Sequence, residues 1–193
     1  MRPTTDARPG AERPSASAMA AQLVDLCRTA DPDVVRQGAE WYPSAHAEAS
    51  RLAEAYGPDV PRAAGVIAAL SPRLRWWVNV REAGRCLAGE RPTAIGANVR
   101  KAEAIRDRVG HWADILGGPK TRAFAATIEN PDHPTAVVVD TWALRAAGWP
   151  TETVTPKQYD VVAEAYRLAA KDLGWLPSAT QATAWILTRG SAQ

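Results

Sequence analysis

A carboxylate closes the aliphatic run of VVVDTWALR, residues 137–145, at the point where a helix begins. Asp140 has two readings. As an N-cap it accepts a hydrogen bond from an amide of the new helix. As a functional group it is a negative charge set against apolar walls, where ionisation is costly unless amides or a cation compensate; the helix amides just downstream supply such compensation. Lys120, in LGGPKTRAFA (116–125), stands before a threonine at a helix start and reads as a solvated or phosphate-facing cation. Trp41, Tyr42 and His46, in EWYPSAH, combine an aromatic pair, a proline and a polar ring. They form either a stacking surface for a base or a hydrophobic staple into a helix beginning at Ser44.

Basic residues concentrate nearby. Residues 73–108 hold nine Arg or Lys against four Asp or Glu, an excess of five, in a chain whose formal net charge is only +2. Two helices in this stretch would carry a basic face, which is either a solvated surface or a contact surface for an anionic partner. Eight tryptophans accompany a single phenylalanine, a bias that suits core packing and the gripping of planar ligands alike.

The elements that must position these groups are helical. The first 18 residues are rich in proline, alanine, serine and arginine without an apolar period, and are expected to form a disordered tail. Helices are expected over 19–30, 44–57 (capped by Ser44, stopped by Gly57), 61–70, about 72–88 and 99–110, with arginines on one side of the fourth and Trp77, Val80, Gly84 and Leu87 on another. Trp76 and Trp77 cannot share a face, so one turns inward. TPKQ (155–158) and SATQ (178–181) read as capping boxes that start helices over about 156–172 and 179–188. TAVVV (135–139) is the one good strand-like run, and a single short run cannot make a sheet. An all-α fold is expected, with the valines in an extended approach or in the first turn of a buried helix.

At 193 residues the chain can form one domain with a core, or two small lobes. Cys27 and Cys86 are the only cysteines, and His46, His111 and His133 share no ligand spacing with carboxylates, so no metal or cofactor is expected. The N-terminus lacks the apolar core of a secretion signal, and no run reaches the length of a membrane span. A soluble cytoplasmic monomer, with no membrane partner, is the expectation.

Four segments, in order, resemble the helix-hairpin-helix DNA glycosylase superfamily. VIAALSPRLRWWVNVREA (66–83) resembles the family's buried helix, Leu-Ser pair, DNA-reaching loop and asparagine-bearing helix. IGANVRKAEAIRD (95–107) is similar to its Ile-Gly, Lys-Ala and Ile pattern, LGGPKTRAFA to its Leu-Pro-Gly-Val-Gly hairpin and following Lys-Thr-Ala, and VVVDTWALR to its Val-Asp-Thr-His segment. The resemblance covers roughly 60–148 and implies a two-lobed helical fold with a shortened hairpin, residues 60–148 forming the central lobe and the N- and C-terminal helices the other.

The resemblance implies an enzyme that hydrolyses the N-glycosidic bond of a damaged or modified base in DNA. Asp140 would be the catalytic carboxylate, stabilising positive charge that develops on the sugar. Lys120 matches the lysine that attacks C1' in members that also cut the strand, with Arg122 beside it favouring the neutral amine. The base pocket would draw on Trp41, Tyr42, His46 and Trp142, and DNA contacts would come from Arg73, Arg75, Trp76, Asn79, Gly117, Gly118, Thr121 and Arg122. Arg145 would partner Asp140 one turn on. The chain departs from the pattern where Pro119 removes a hairpin amide, where Arg73 stands for a glutamine, and where Trp142 stands for a histidine. These departures open two alternatives: a nucleosidase or base-modifying enzyme acting on free nucleosides or nucleotides, and a DNA-binding protein without catalysis.

Overall fold

Alanine-rich apolar stripes, broken by aspartate, serine and threonine caps and by glycine stops, build nine α-helices in the described residues. The structure, a computed structural model, describes residues 13–107 and 111–190. The helices are α1 (Ala16–Arg28), α2 (Pro32–Tyr56), α3 (Val60–Leu70), α4 (Trp76–Leu87), α5 (Gly96–Asp107), α6 (Pro119–Glu129), α7 (Thr141–Ala146), α8 (Pro156–Leu173) and α9 (Pro177–Arg189), with a 3-10 turn at Trp112–Asp114. No strand forms among the described residues, so the fold is all-α. None of these helices is long and apolar enough to cross a membrane.

Two apolar cores divide the helices. The first is built from the second half of α2 with α3 to α6: Ala45, Ala49 and Leu52 meet Val66, Ile67, Leu70, Val80, Ile105 and Ile128. At its centre α3 is buried from Ala63 to Leu70 without interruption, which requires the aliphatic and small residues found there. The second core joins the chain's two ends, with Leu23 and Cys27 of α1 packed against Leu144 of α7 and Val162 and Tyr166 of α8. Val137 and Val139 belong to this second core as well. The break between the cores therefore falls after Ile128, and α7 sides with the terminal helices rather than with the central 60–148 group.

Helix α2 connects the two. Asp31 caps it through the Val34 amide (2.9 Å), Gly57 stops it in the left-handed region at φ 87°, and its 25 residues span about 37 Å at the standard rise. Near its start Gly38 lies against α9, where a Cβ would sit 2.0 Å from Thr183 Oγ1, so the two backbones approach only because no side chain is there. The helix expected to begin at Ser44 thus begins twelve residues earlier, and Pro43 lies inside it. Proline there removes one helical hydrogen bond, a loss outweighed by burying α2 against the first core and against α9. Ser44 is exposed and caps nothing.

Other expectations shift for local reasons. Helix α1 starts at Ala16, within the stretch read as a tail, because Ser15 accepts the Ala18 amide (3.2 Å); residues 1–12 lie outside the described residues. Helix α4 starts only at Trp76 because residues 71–75 turn first. Helix α5 is described from Gly96 to Asp107, and the end expected at Gly110 lies outside the described residues. The Thr155–Gln158 capping box forms in full. The one expected at Ser178 does not: α9 starts after Leu176 with no side-chain cap, and Ser178 Oγ donates instead to Pro131 O (3.2 Å).

Candidate functional site

The residues before α7 are extended, and a single tyrosine replaces a neighbouring strand. Tyr159 Oη accepts from the Val139 amide (3.1 Å) and donates to the Val137 carbonyl (2.7 Å), which satisfies a buried backbone that no sheet pairs. Because an extended chain alternates its side chains, Val137 and Val139 enter the second core while Val138 faces the other way, toward Tyr42 and Ala182. This segment delivers Asp140 to the mouth of a cleft of about 420 Å³.

Asp140 is a cap and more. Its Oδ1 accepts from the Ala143 amide (2.8 Å), the N-cap bond that starts α7, and its Oδ2 accepts from the indole N–H of Trp185 on α9 (3.2 Å). Both oxygens are thereby oriented, and the carboxylate is half-buried on the cleft wall. Arg145 does not partner it. That guanidinium stacks over Trp142 at 4.7 Å and pairs with Glu152 instead.

The floor of the cleft is made of deeply buried groups, Tyr42, Asn79, Val138, Gln181 and Ala182, drawn from both sides. Tyr42 donates its hydroxyl to Gln181 Oε1 (2.8 Å). Burial, together with the charge of Asp140, pushes the Tyr42 phenol far above its ordinary range, so it stays a donor. Aromatic rings line the walls. Trp41 packs edge-on to Tyr42 (4.7 Å between centroids) and tilted against Trp76 (5.4 Å) and Phe124 (6.0 Å), while Trp142 and Trp185 face from the second core's side. Arg73, Arg75, Lys120 and Arg189 complete the rim. None of the four is in an ion pair with a described residue, and Asp140 is the one acidic side chain in the lining.

Arg73 stands out in its backbone. Pro72 followed by a residue at φ 69°, with the Leu74 amide bonded to the Ser71 carbonyl (3.1 Å), is the pattern of a type II turn, whose third position favours glycine. Arg73 is the one non-glycine residue with positive φ among those described. An arginine held at that cost of about 1 kcal/mol keeps a long cation on the cleft rim that a glycine could not provide.

The cleft thus unites Asp140, Lys120, Trp41, Tyr42, Trp142, Arg73, Arg75, Trp76 and Asn79. His46 is not in its lining; its Nδ1 lies 2.9 Å from the Ile128 carbonyl and ties α2 to α6. Arg122, expected to assist Lys120, donates instead to the carbonyls of Leu116 and Ala113 (2.8 Å for the latter) and braces the loop before α6. Thr121 Oγ1 donates back to the Gly118 carbonyl (3.1 Å). Gly117 and Gly118 are exposed beyond the lining. Gly118 has an ordinary φ of −90°, and a Cβ on Gly117 would meet nothing within 4 Å, so neither packing nor conformation demands glycine there. Trp76 is the member of the tryptophan pair that turns to the cleft, while Trp77 is exposed beneath Arg81 (5.5 Å). Sequence reasoning missed Gln181, Trp185 and Arg189. They recur at intervals of four along α9, which sets them on one face, a stripe of amide, indole and guanidinium that the capping-box reading of SATQ concealed.

A family model described as "Family of unknown function (DUF7178)" matches residues 7–192, and the chain belongs to that family. No curated protein and no solved structure matches it.

Proposed function

We propose that this protein hydrolyses an N-glycosidic bond, as a two-lobed DNA glycosylase acting on a damaged or modified base, with Asp140 as its catalytic carboxylate. The observation that carries the reading is the setting of that carboxylate. It is fixed at both oxygens by the Ala143 amide and the Trp185 indole, and it faces a cleft whose walls are aromatic and whose rim carries four cations outside any ion pair with a described residue. Breaking the bond leaves positive charge on the sugar, and a negative charge already oriented by two donors stabilises that charge without reorganising in the transition state. Indole and phenyl walls grip a flipped base by its faces, and Arg73, Arg75, Lys120 and Arg189 meet phosphates. The ordered resemblance of 66–83, 95–107, 116–125 and 137–145 to helix-hairpin-helix glycosylases supports the same chemistry.

Base release measured by mass spectrometry on double-stranded, single-stranded and hypermodified DNA tests the proposal. Release from at least one substrate is expected, and Asp140→Asn should lower its rate about 100-fold or more. Asparagine also caps helices, and only the bond from the Trp185 indole is lost, so this variant should stay folded and melt a little below the parent. No release from any substrate, or an unchanged rate in the Asp140→Asn variant, overturns the assignment. Lys120 sits at the rim within the same lining, and borohydride trapping of a covalent complex would give it the nucleophile's role; a trap-negative enzyme that still releases base uses water alone.

A second reading has its own observation. Pro119 opens α6 where an amide would otherwise be free for phosphate, and the exposed Gly117–Gly118 segment stands outside the cleft. That weakens the grip on a DNA strand and favours a free nucleotide, for which the same release assay with nucleoside monophosphates is the discriminating arm.

A further inference from the structure

Asn79 is 2 % exposed, lines the cleft, and its Oδ1 is buried without a hydrogen-bond partner. An unmet buried acceptor is destabilising, so an asparagine on the cleft floor is poorly suited to the protein alone. Ligand recognition gives it a use. Across the floor lies a second buried amide, Gln181, 4 % exposed, whose oxygen is occupied by the Tyr42 hydroxyl. With Oε1 engaged, the amide presents its Nε2 as a donor. The two buried amides of the cleft therefore differ in what they offer, Asn79 a free acceptor and Gln181 a donor, and they come from helices on opposite sides of the cleft.

We propose that Asn79 and Gln181 read the edge of the bound ring, and that the ligand is a base with a lactam edge, a ring N–H beside a carbonyl, as in uracil, thymine, guanine and hypoxanthine. Asn79 turns its Oδ1, which is closed to water in this structure, to accept from the ring N–H, and Gln181 Nε2 donates to the carbonyl, while the aromatic walls hold the faces. Adenine and cytosine put an unprotonated ring nitrogen beside an amino group, so at Asn79 acceptor would meet acceptor. A site built to pair a polar edge rejects a mismatched one strongly because its buried groups are then left unpaired. This specificity rests on the glycosylase reading for its biological use, but the recognition itself needs no bond cleavage.

The test is binding to the full-length protein, read by tryptophan fluorescence and calorimetry, with dUMP, dTMP, dGMP and dIMP against dAMP, dCMP and N3-methyl-dTMP. The lactam nucleotides should bind at least tenfold tighter than dAMP and dCMP, and N3-methylation of dTMP, which removes the N–H, should cost tenfold or more in the unaltered protein. Asn79→Leu should erase the difference between dTMP and its methylated form. Gln181→Glu, which puts an acceptor against the carbonyl, should weaken dTMP in parallel. Equal affinity for dTMP and N3-methyl-dTMP, a preference for dAMP or dCMP, or no saturable binding of any lactam nucleotide overturns the proposal. Base release without discrimination sinks the edge reading alone, and discrimination without base release sinks the hydrolase alone.

Discussion

Two surfaces of this molecule combine tryptophan with arginine, and Trp76 lines both. On the outer face of α2 and α4 a groove of about 510 Å³ carries Arg51, Arg81 and Arg85 beside the exposed Trp77 and Tyr56. Each of those arginines is paired: Arg51 with Glu48 (2.7 Å), Arg81 with Glu82 (2.9 Å), and Arg85 with both Glu82 (3.2 Å) and Glu90 (2.9 Å). The cleft on the other side of Trp76 has four cations, none in an ion pair with a described residue, and a single carboxylate that two neutral donors orient. Size does not tell the two apart, and aromatic content, six residues in the cleft against three in the groove, does so only in part. Charge satisfaction does, because a surface whose cations are already met gains little from an anionic ligand, whereas unmatched cations around an aromatic cleft gain a great deal.

The largest expected effect tests the scaffold side of that comparison. Glu82 is 1 % exposed and accepts from the Thr93 amide (2.7 Å) as well as from Arg81 and Arg85, so it pins the loop after α4. Glu82→Leu should cost about 2 kcal/mol, chiefly by leaving the Thr93 amide unmet, read as a lower midpoint in urea. Burial alone would raise the Glu82 carboxyl, but the bonds from Thr93 and Arg81 and the charges of Arg85 and Arg81 outweigh it and hold it below the ordinary 4.5. A group depressed on folding contributes stability above its unfolded value and loses it as pH falls through the folded one. The parent should therefore lose stability as pH falls below the ordinary 4.5 of a glutamate, and Glu82→Leu should lose less over the same range.

Next in size is the response of polyanion binding to cation removal. Arg75→Ala, Lys120→Ala and Arg189→Ala should each weaken binding of a single-stranded oligonucleotide and lower the slope of log affinity against log salt by about 0.7 for each phosphate no longer neutralised. Arg81→Ala should leave that slope unchanged. Equal effects at both surfaces would break the comparison and extend the binding surface across Trp76.

The smallest effect is the most diagnostic. Arg73→Gly should stabilise the fold by about 1 kcal/mol, since glycine adopts φ 69° without the Cβ penalty, and should at the same time reduce oligonucleotide affinity. A variant more stable and less able to bind would identify Arg73 as strain retained for contact. A drop in stability would show that its side chain serves the fold.

The local features were legible because their partners lie within a turn. Asp140 reads as a cap from four residues and is one, and Thr155 with Gln158 forms the capping box its spacing announces. The same spacing at Ser178 and Gln181 misleads, since Ser178 finds the Pro131 carbonyl and Gln181 finds Tyr42, partners 47 and 139 residues away. Trp185 carries no local signal of its role although it holds the second oxygen of Asp140, because nothing within either segment announces a hydrogen bond between residues 45 apart.

Most helical segments, the stop at Gly57 and the cap at residue 140 follow from sequence alone, because caps and period act over a few residues, whereas the valines were left between an extended approach and a first helical turn. Which helices share a core, how far α2 runs past Pro43, and the meeting of Asn79, Asp140, Gln181 and Trp185 around one cleft were decided by tertiary packing. Apolar faces are buried wherever a complementary face can be reached, regardless of chain distance, and the polar groups carried along with them find their partners only once that packing is complete.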